Sequence, residues 1–285
     1  MLKHKLIVGT AQLGMDYGIN NQSGKPTEEN SLAILDYAYS RGIASLDTAD
    51  AYGTSQSIIG RYCQGKRKFS IFSKFSFGRE NPLATLPKTL AELNVPQINC
   101  YSFHSFSELE QAPKSLAERL RQTGLTESVG VSVYSDDELD QSIPFQEIDV
   151  IQVPFSLLDC GPRKRELIAK AKEYGKTVHV RSIFLQGLFF MDRTSIPAVL
   201  ESLIEPLTQV DEIAARYGIS VHELCIMFPL LVPEIDGVIV GVESRDQLEE
   251  NVTLIRETHL SHELLDEIYD IRCDNPVLLN PSNWH

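Results

Sequence analysis

The feature that most constrains this chain is a rhythm of eight short, nearly all-apolar runs. Each is followed by a stretch whose apolar residues recur at helical spacing. The runs are Leu6-Ile7-Val8, Ile43–Asp47, Phe69–Phe75, Ile98–Phe103, Val129–Ser132, Val150–Val153, Thr177–Ser182 and Gly237–Gly241. Strands that are apolar throughout, rather than alternating, belong in a sheet covered on both faces. Strand–helix alternation implies parallel pairing through right-handed crossovers. Eight such units, with no Pro/Gly/Ser linker dividing them, predict an α/β fold: one (β/α)8 TIM-type barrel domain over residues 1–285. A last helix, about Ser261–Ile271, is expected beyond the eighth unit. The rival architecture, a doubly wound open sheet, would want Gly-x-Gly-x-x-Gly after an early strand. Gly9-Thr10-Ala11-Gln12-Leu13-Gly14 lacks the middle glycine.

Thr27, Ser135 and Ser244 stand where helix N-caps belong, and Gly42, Gly124 and Gly175 follow helix ends. Helices are expected over about Ala112–Arg121 and Leu200–Tyr217, and from Ser244 to Glu257.

A net charge of −13 argues against a nucleic-acid partner. The one basic run, Lys66-Arg67-Lys68, reads as a solvated turn before a strand. The apolar part of the N-terminus is too short for a signal peptide. No apolar stretch reaches the ~20 residues of a membrane span. Five scattered cysteines, without Cys-x-x-Cys, suit a reduced, cytoplasmic chain. His259-Leu260-Ser261-His262 has no Cys or acid placed to complete a metal site, so no metal is expected.

Chemistry concentrates at the ends of runs two, three and four. Asp47 closes the second run, with Tyr52 just beyond it; Lys74 falls late in the third; His104 follows the fourth. In a parallel barrel those C-terminal ends meet at one mouth. Reducing a carbonyl needs a hydride on carbon and a proton on oxygen, and no side chain donates hydride, so a nicotinamide must. Tyr52 is the expected acid. A nearby Lys74 ammonium should lower its pKa from about 10. Asp47 should pair with Lys74, because an unpaired buried ammonium tends to neutralise. His104 can donate a hydrogen bond to the substrate oxygen. Taken singly, each residue fits a structural role; the four types together in adjacent units favour the chemical one.

Asp47-Thr48-Ala49-Asp50-Ala51-Tyr52-Gly53, with Lys74 and His104 at their spacings, resembles the signature of the aldo-keto reductase superfamily. The likeness extends over nearly the whole chain. It implies a (β/α)8 barrel and reversible nicotinamide-dependent carbonyl reduction, usually with NADPH. Carried over by residue, it implies catalytic roles for Asp47, Tyr52, Lys74 and His104. Gly9, Thr10, Ala11 and Asp47 would border the cofactor, and Ser132 and Gln152 would hold the carboxamide. Ser182, Phe184, Gln186 and Gly187 would follow the pyrophosphate, Arg181 would stack on the nicotinamide or bind an anionic substrate group, and Gly241, Ser244, Gln247, Glu250 and Asn251 would line the adenosine end. Three positions depart from the family pattern: Val133 where Asn is common, Arg181 where an aromatic often stacks on nicotinamide, and Gln247 where NADPH users often carry a base. Glu243 stands near Gln247 and Arg245 is the local cation, so NADH rivals NADPH.

Tyr17, Phe75, Phe155, Phe184 and Trp284 are candidates for the substrate pocket. The short tail after Ile271 implies an open mouth, suited to a bulky or sugar-like carbonyl, in a monomer or weak oligomer. Two other functions also suit some of these residues. One is a Schiff-base lyase or aldolase with Lys74 as nucleophile; the other is a non-catalytic nicotinamide sensor.

Overall fold

The computed structural model describes residues 2–19, 21, 24–64, 69–78, 80–255 and 260–284. Lys66-Arg67-Lys68, Glu257 and His259 lie outside them. Strands β1 (Leu6–Gly9), β2 (Ser45–Asp47), β3 (Ser70–Phe75), β4 (Ile98–Phe103), β5 (Thr126–Ser132), β6 (Val150–Pro154), β7 (Thr177–Arg181) and β8 (Gly237–Gly241) pair in sequence order. All pairings are parallel, and β8 returns to β1 with Gly241 beside Gly9, closing the barrel. Around it run α1 (Ala11–Gly14), α2 (Glu28–Ser40), α3 (Ser55–Cys63), α4 (Pro82–Leu93), α5 (Phe106–Gln111) and α6 (Leu116–Gln122). The second half adds α7 (Asp136–Ser142), α8 (Pro162–Glu173), α9 (Ile204–Tyr217), α10 (Val221–Leu231), α11 (Arg245–Leu254) and α12 (His262–Asp270). The expected barrel and the extra last helix are both present. Among the described residues no helix is long and apolar enough to cross a membrane.

Strand pleating sends alternate side chains to opposite faces. On β3, Phe72 and Lys74 point inward while Phe75 packs outward, its ring 4.6 Å from Tyr101 and 4.7 Å from Phe103. Register then puts Asp47, Lys74, Ser132, Gln152 and Arg181 on the inner parity. One residue pair lower, Phe72 and His179 meet edge to face at 4.6 Å and fill the axis. A Cβ on Gly237 would lie 2.5 Å from Ile7 Cδ1 and 2.7 Å from His179 Cδ2, so a side chain there would have to displace both.

His179 makes this floor acid-sensitive. Burial pushes its imidazole down to about 4 from an ordinary 6.5. Between those values the unfolded chain binds a proton that the folded chain refuses, so stability falls as pH drops. The gap corresponds to about 3 kcal/mol lost by pH 4. His179→Leu should lose less stability than the parent between pH 7 and pH 4, read from urea midpoints; equal losses would remove His179 as the cause.

Three helices differ from expectation. The segment Ala112–Arg121 is not one helix: Ala112 is extended and Pro113 follows, because proline disfavours helical backbone in the residue before it. Only from Leu116 does α6 begin. The Leu200–Tyr217 segment opens as a 3-10 turn over Ala198–Leu203 and becomes α-helical at Ile204. At its C-terminal end, α11 stops at Leu254, and Ile255 is extended.

Three loops after β4, β5 and β8 share one device. Ser105, Ser135 and Ser244 accept from the N–H groups of Glu108, Glu138 and Gln247, capping α5, α7 and α11. Each of those partner side chains reaches back to accept from the N–H of His104, Tyr134 or Glu243. Reciprocal capping of this kind satisfies orphan donors at both ends of the turn. It also fixes the backbone of three residues at the barrel mouth.

Candidate active site

Asp47 and Lys74 end adjacent strands and meet on the inner face. The Lys74 ammonium donates to both Asp47 carboxylate oxygens at 2.6 and 2.7 Å, and to Thr48 O at 3.2 Å. Gln152 Nε2 donates to Asp47 Oδ2 at 2.8 Å from across the barrel. Asp47 and Lys74 are only 4% and 2% exposed. Burial by itself would lower the lysine pKa, but the Asp47 charge and hydrogen bonds outweigh it, and the group is held above its ordinary value. Lys74 is therefore an ammonium at neutral pH, which counts against its use as an imine-forming nucleophile.

Tyr52 reaches this pair from the β2–α3 loop. Lys74 Nζ lies 5.2 Å from the centre of its ring. The His104 ring stands edge-on at 6.1 Å. The loop is set by a close backbone approach: a Cβ on Gly14 would sit 1.7 Å from Tyr52 O, and one on Gly53 would sit 2.4 Å from Gly14 O. Gly53 also has φ +54°, which a side chain would strain. Asp50, two residues before Tyr52, accepts from Gln56, Thr89 and Tyr101 and is tied into the α3–α4 layer. Ser55, three residues after it, bonds Thr10 Oγ1 at 2.7 Å and Thr48 Oγ1 at 3.1 Å.

The phenol departs from the sequence expectation. Burial raises the Tyr52 pKa above its ordinary value, and the Lys74 ammonium pulls it down without overturning that effect. Tyr52 thus keeps its proton through neutral pH.

A cavity of about 400 Å³ opens over these groups at the C-terminal ends of β1, β2, β6, β7 and β8. This size suits a small-molecule or cofactor site. Of the expected residues, Asp47, Tyr52, Gln152 and Arg181 line its inner part, with Gly9, Thr10 and Ala11 beside them. Ser182, Phe184, Gln186 and Gly187 form one wall, and Gly241, Gln247, Glu250 and Asn251 the outer end. Tyr17, 41% exposed, stands at the rim.

Other expected residues lie elsewhere. Lys74 and His104 sit behind the lining, in contact with Tyr52. Ser132 is buried on β5 beside Gln152 and does not reach the surface of the cavity. Ser244 is spent as the cap of α11. Three substrate-pocket candidates are corrected. Phe75 points into the strand–helix layer. Phe155 stacks on Phe228 at 5.5 Å and borders a second cavity between α8 and α10. Trp284 donates its indole N–H to Leu278 O at 2.7 Å and packs on the core outside the cavity.

Arg181 is anchored toward the β5 loop. Its Nη2 donates to Val133 O at 2.9 Å, and the guanidinium lies 4.4 Å from the Tyr134 ring centre. Two departures noted in the sequence, at 133 and 181, are thus one contact. The segment after Arg181 is strained: Ser182, Leu185 and Gln186 all have positive φ, as does Gly187. Such conformations in non-glycine residues persist where surroundings over-determine them, often at ligand-binding walls.

His222, Phe190, Gln12 and Glu243 also line the cavity. His222 at the start of α10 bonds Asn251 Oδ1 at 2.6 Å and lies 3.3 Å from the Glu250 carboxylate. Its position follows from α10 packing on α11, which no local motif announces.

The lining carries side-chain amides and hydroxyls, at Gln12, Gln152, Ser182 and Asn251, of the kind that would hold a polar nucleotide. Glycines 9, 187 and 241 let backbone reach its surface, and a Cβ on Gly241 would strike the Gln12 amide at 2.4 Å. The sequence profile described as the Aldo/keto reductase family matches residues 5–272. An uncharacterized oxidoreductase, YqkF of Bacillus subtilis (strain 168), is 26% identical over 92% of this chain and 94% of the relative. An NADH-specific methylglyoxal reductase of Escherichia coli (strain K12) is 23% identical over 76% of this chain and 80% of its own. An aldo-keto reductase from Bacillus halodurans, solved in its holo form, shares the fold with TM-score 0.76 at 22% identity, over 94% and 92% of the two chains. With a family match from residue 5 to residue 272 laid over this barrel, the chain belongs to the aldo/keto reductase family of nicotinamide-dependent oxidoreductases.

Proposed function

We propose that this protein reduces an aldehyde or ketone to an alcohol, with Tyr52 as the proton donor. The observation that carries the reading is the buried Asp47–Lys74 pair set 5.2 Å under the Tyr52 ring, at the inner end of the cavity. A reduced nicotinamide, when bound, would supply the hydride. Gln152, Ser182, Gly187 and Asn251 would hold the nucleotide. Gln152 already donates to Asp47, which leaves its carbonyl oxygen to accept from a carboxamide N–H.

As negative charge grows on the substrate oxygen, the Tyr52 phenol passes its proton to it. Lys74 stabilises the phenolate left behind, and Asp47 holds Lys74 in place. His104, edge-on to the Tyr52 ring from behind the cavity wall, would hold that ring in position. The open rim at Tyr17, and a relative named for methylglyoxal, support a small carbonyl or sugar-like substrate. All five cysteines are free, and a reducing cytoplasm fits them.

Purified protein mixed with reduced nucleotide and either methylglyoxal or 4-nitrobenzaldehyde should consume the nucleotide in step with alcohol formation. Nucleotide that binds but is never consumed, across a broad aldehyde panel, would favour the sensor reading instead.

A further inference from the structure

We infer that the outer end of this cavity selects NADH over NADPH, with Glu243 and Glu250 as the carboxylates that discriminate. This rests on the cavity being the nicotinamide-nucleotide site proposed above. The family resemblance made NADPH the first expectation, with Arg245 as the local cation at the adenosine end; the placement of Arg245 weakens that expectation. Arg245 opens α11, but its guanidinium lies 3.7 Å from Glu249 and 5.4 Å from the Tyr37 ring, and it does not line the cavity. Gln247 is committed as well. Its side-chain oxygen accepts from Glu243 N–H at 2.8 Å, closing the cap of α11.

What remains at that end is acidic. Glu243 and Glu250 both line the wall. Among the described residues, Arg181 is the one Lys or Arg in the lining, and its guanidinium is drawn toward Val133 and Tyr134 on the β5 side. His222 stands beside Glu250 at 3.3 Å and is held by Asn251 Oδ1 at 2.6 Å. The N-terminus of α11 favours an anion and opposes this selection. Asp246 in its first turn and the two capping side chains answer it. A ribose 2′-hydroxyl can donate to a carboxylate, whereas a 2′-phosphate brings about two negative charges against it.

Titration calorimetry on the whole protein separates the possibilities without turnover. NADH should bind at least about tenfold more tightly than NADPH, a difference of about 1.4 kcal/mol. On the unaltered protein, 5′-AMP should likewise bind more tightly than adenosine 2′,5′-diphosphate, so the result does not depend on a variant folding. Glu243→Gln with Glu250→Gln should shrink the NADH/NADPH ratio severalfold. NADPH binding as tightly as NADH, or a ratio unmoved in the double variant, would overturn the selectivity while leaving the cavity reading intact. If neither dinucleotide bound, the cavity reading would fall and this inference with it.

Discussion

Tyr52→Phe should slow carbonyl reduction about a thousandfold while NADH affinity stays within about twofold of the parent. The substitution removes one oxygen and keeps the ring that Lys74 and His104 face. Without the phenol, the nascent alkoxide must take its proton from water, at the cost a positioned acid otherwise removes. Calorimetry gives the affinity and nucleotide absorbance gives the rate. A variant that kept most of its rate would show that another group supplies the proton. The pH profile is a second handle. Because burial raises the Tyr52 pKa, the acid form persists through neutrality, and reduction should decline only as pH climbs past the ordinary phenol value of 10. A fall beginning near pH 7 would mean that Tyr52 is not the donor.

Lys74→Met should cost about 3–5 kcal/mol of stability, as removal of one partner from a buried ion pair does. It leaves the Asp47 carboxylate, 4% exposed, with the Gln152 amide as its one remaining side-chain donor among the described residues. Activity should be lost as well, since the phenolate would have no cation beside it. The double change Lys74→Met with Asp47→Leu separates the two effects: stability should recover much of the loss, whereas activity should not. Urea midpoints and nucleotide consumption read the two outcomes. The sign of the pH dependence follows from Lys74 being held above its ordinary value. The pair's contribution is fully present below pH 10.5 and is lost as pH rises through the higher folded value. The gap between parent and single variant should therefore be constant through neutral pH and close in strong alkali. A single variant as stable as the parent would mean that Asp47 finds other partners.

Much of this site was legible before any coordinates. Asp47, Lys74, Gln152 and Arg181 share the inner face because strand ends in parallel register converge, and alternation within a strand is a local property. The caps at Thr27, Ser135 and Ser244 were equally readable, since a side chain three residues from its partner needs only local geometry. Phe75 was misplaced for a related reason. It lies one residue beyond Lys74, and a shift of one position sends a side chain to the opposite face. Phe155 and Trp284 were misplaced because aromatic character says nothing about which neighbour a ring will find.

Periodicity and the residue types at strand ends were enough for the barrel, the direction of its strands and the chemistry gathered at one mouth, because each depends on spacing along a few consecutive residues. Which way Arg245 turns, whether burial or Lys74 governs the Tyr52 phenol, and how His222 comes to stand between Glu250 and Asn251 depend on groups that only packing brings together. Desolvation and through-space charge act over distances in the folded molecule, not along the chain, so those answers were absent until the helices had closed around the strands.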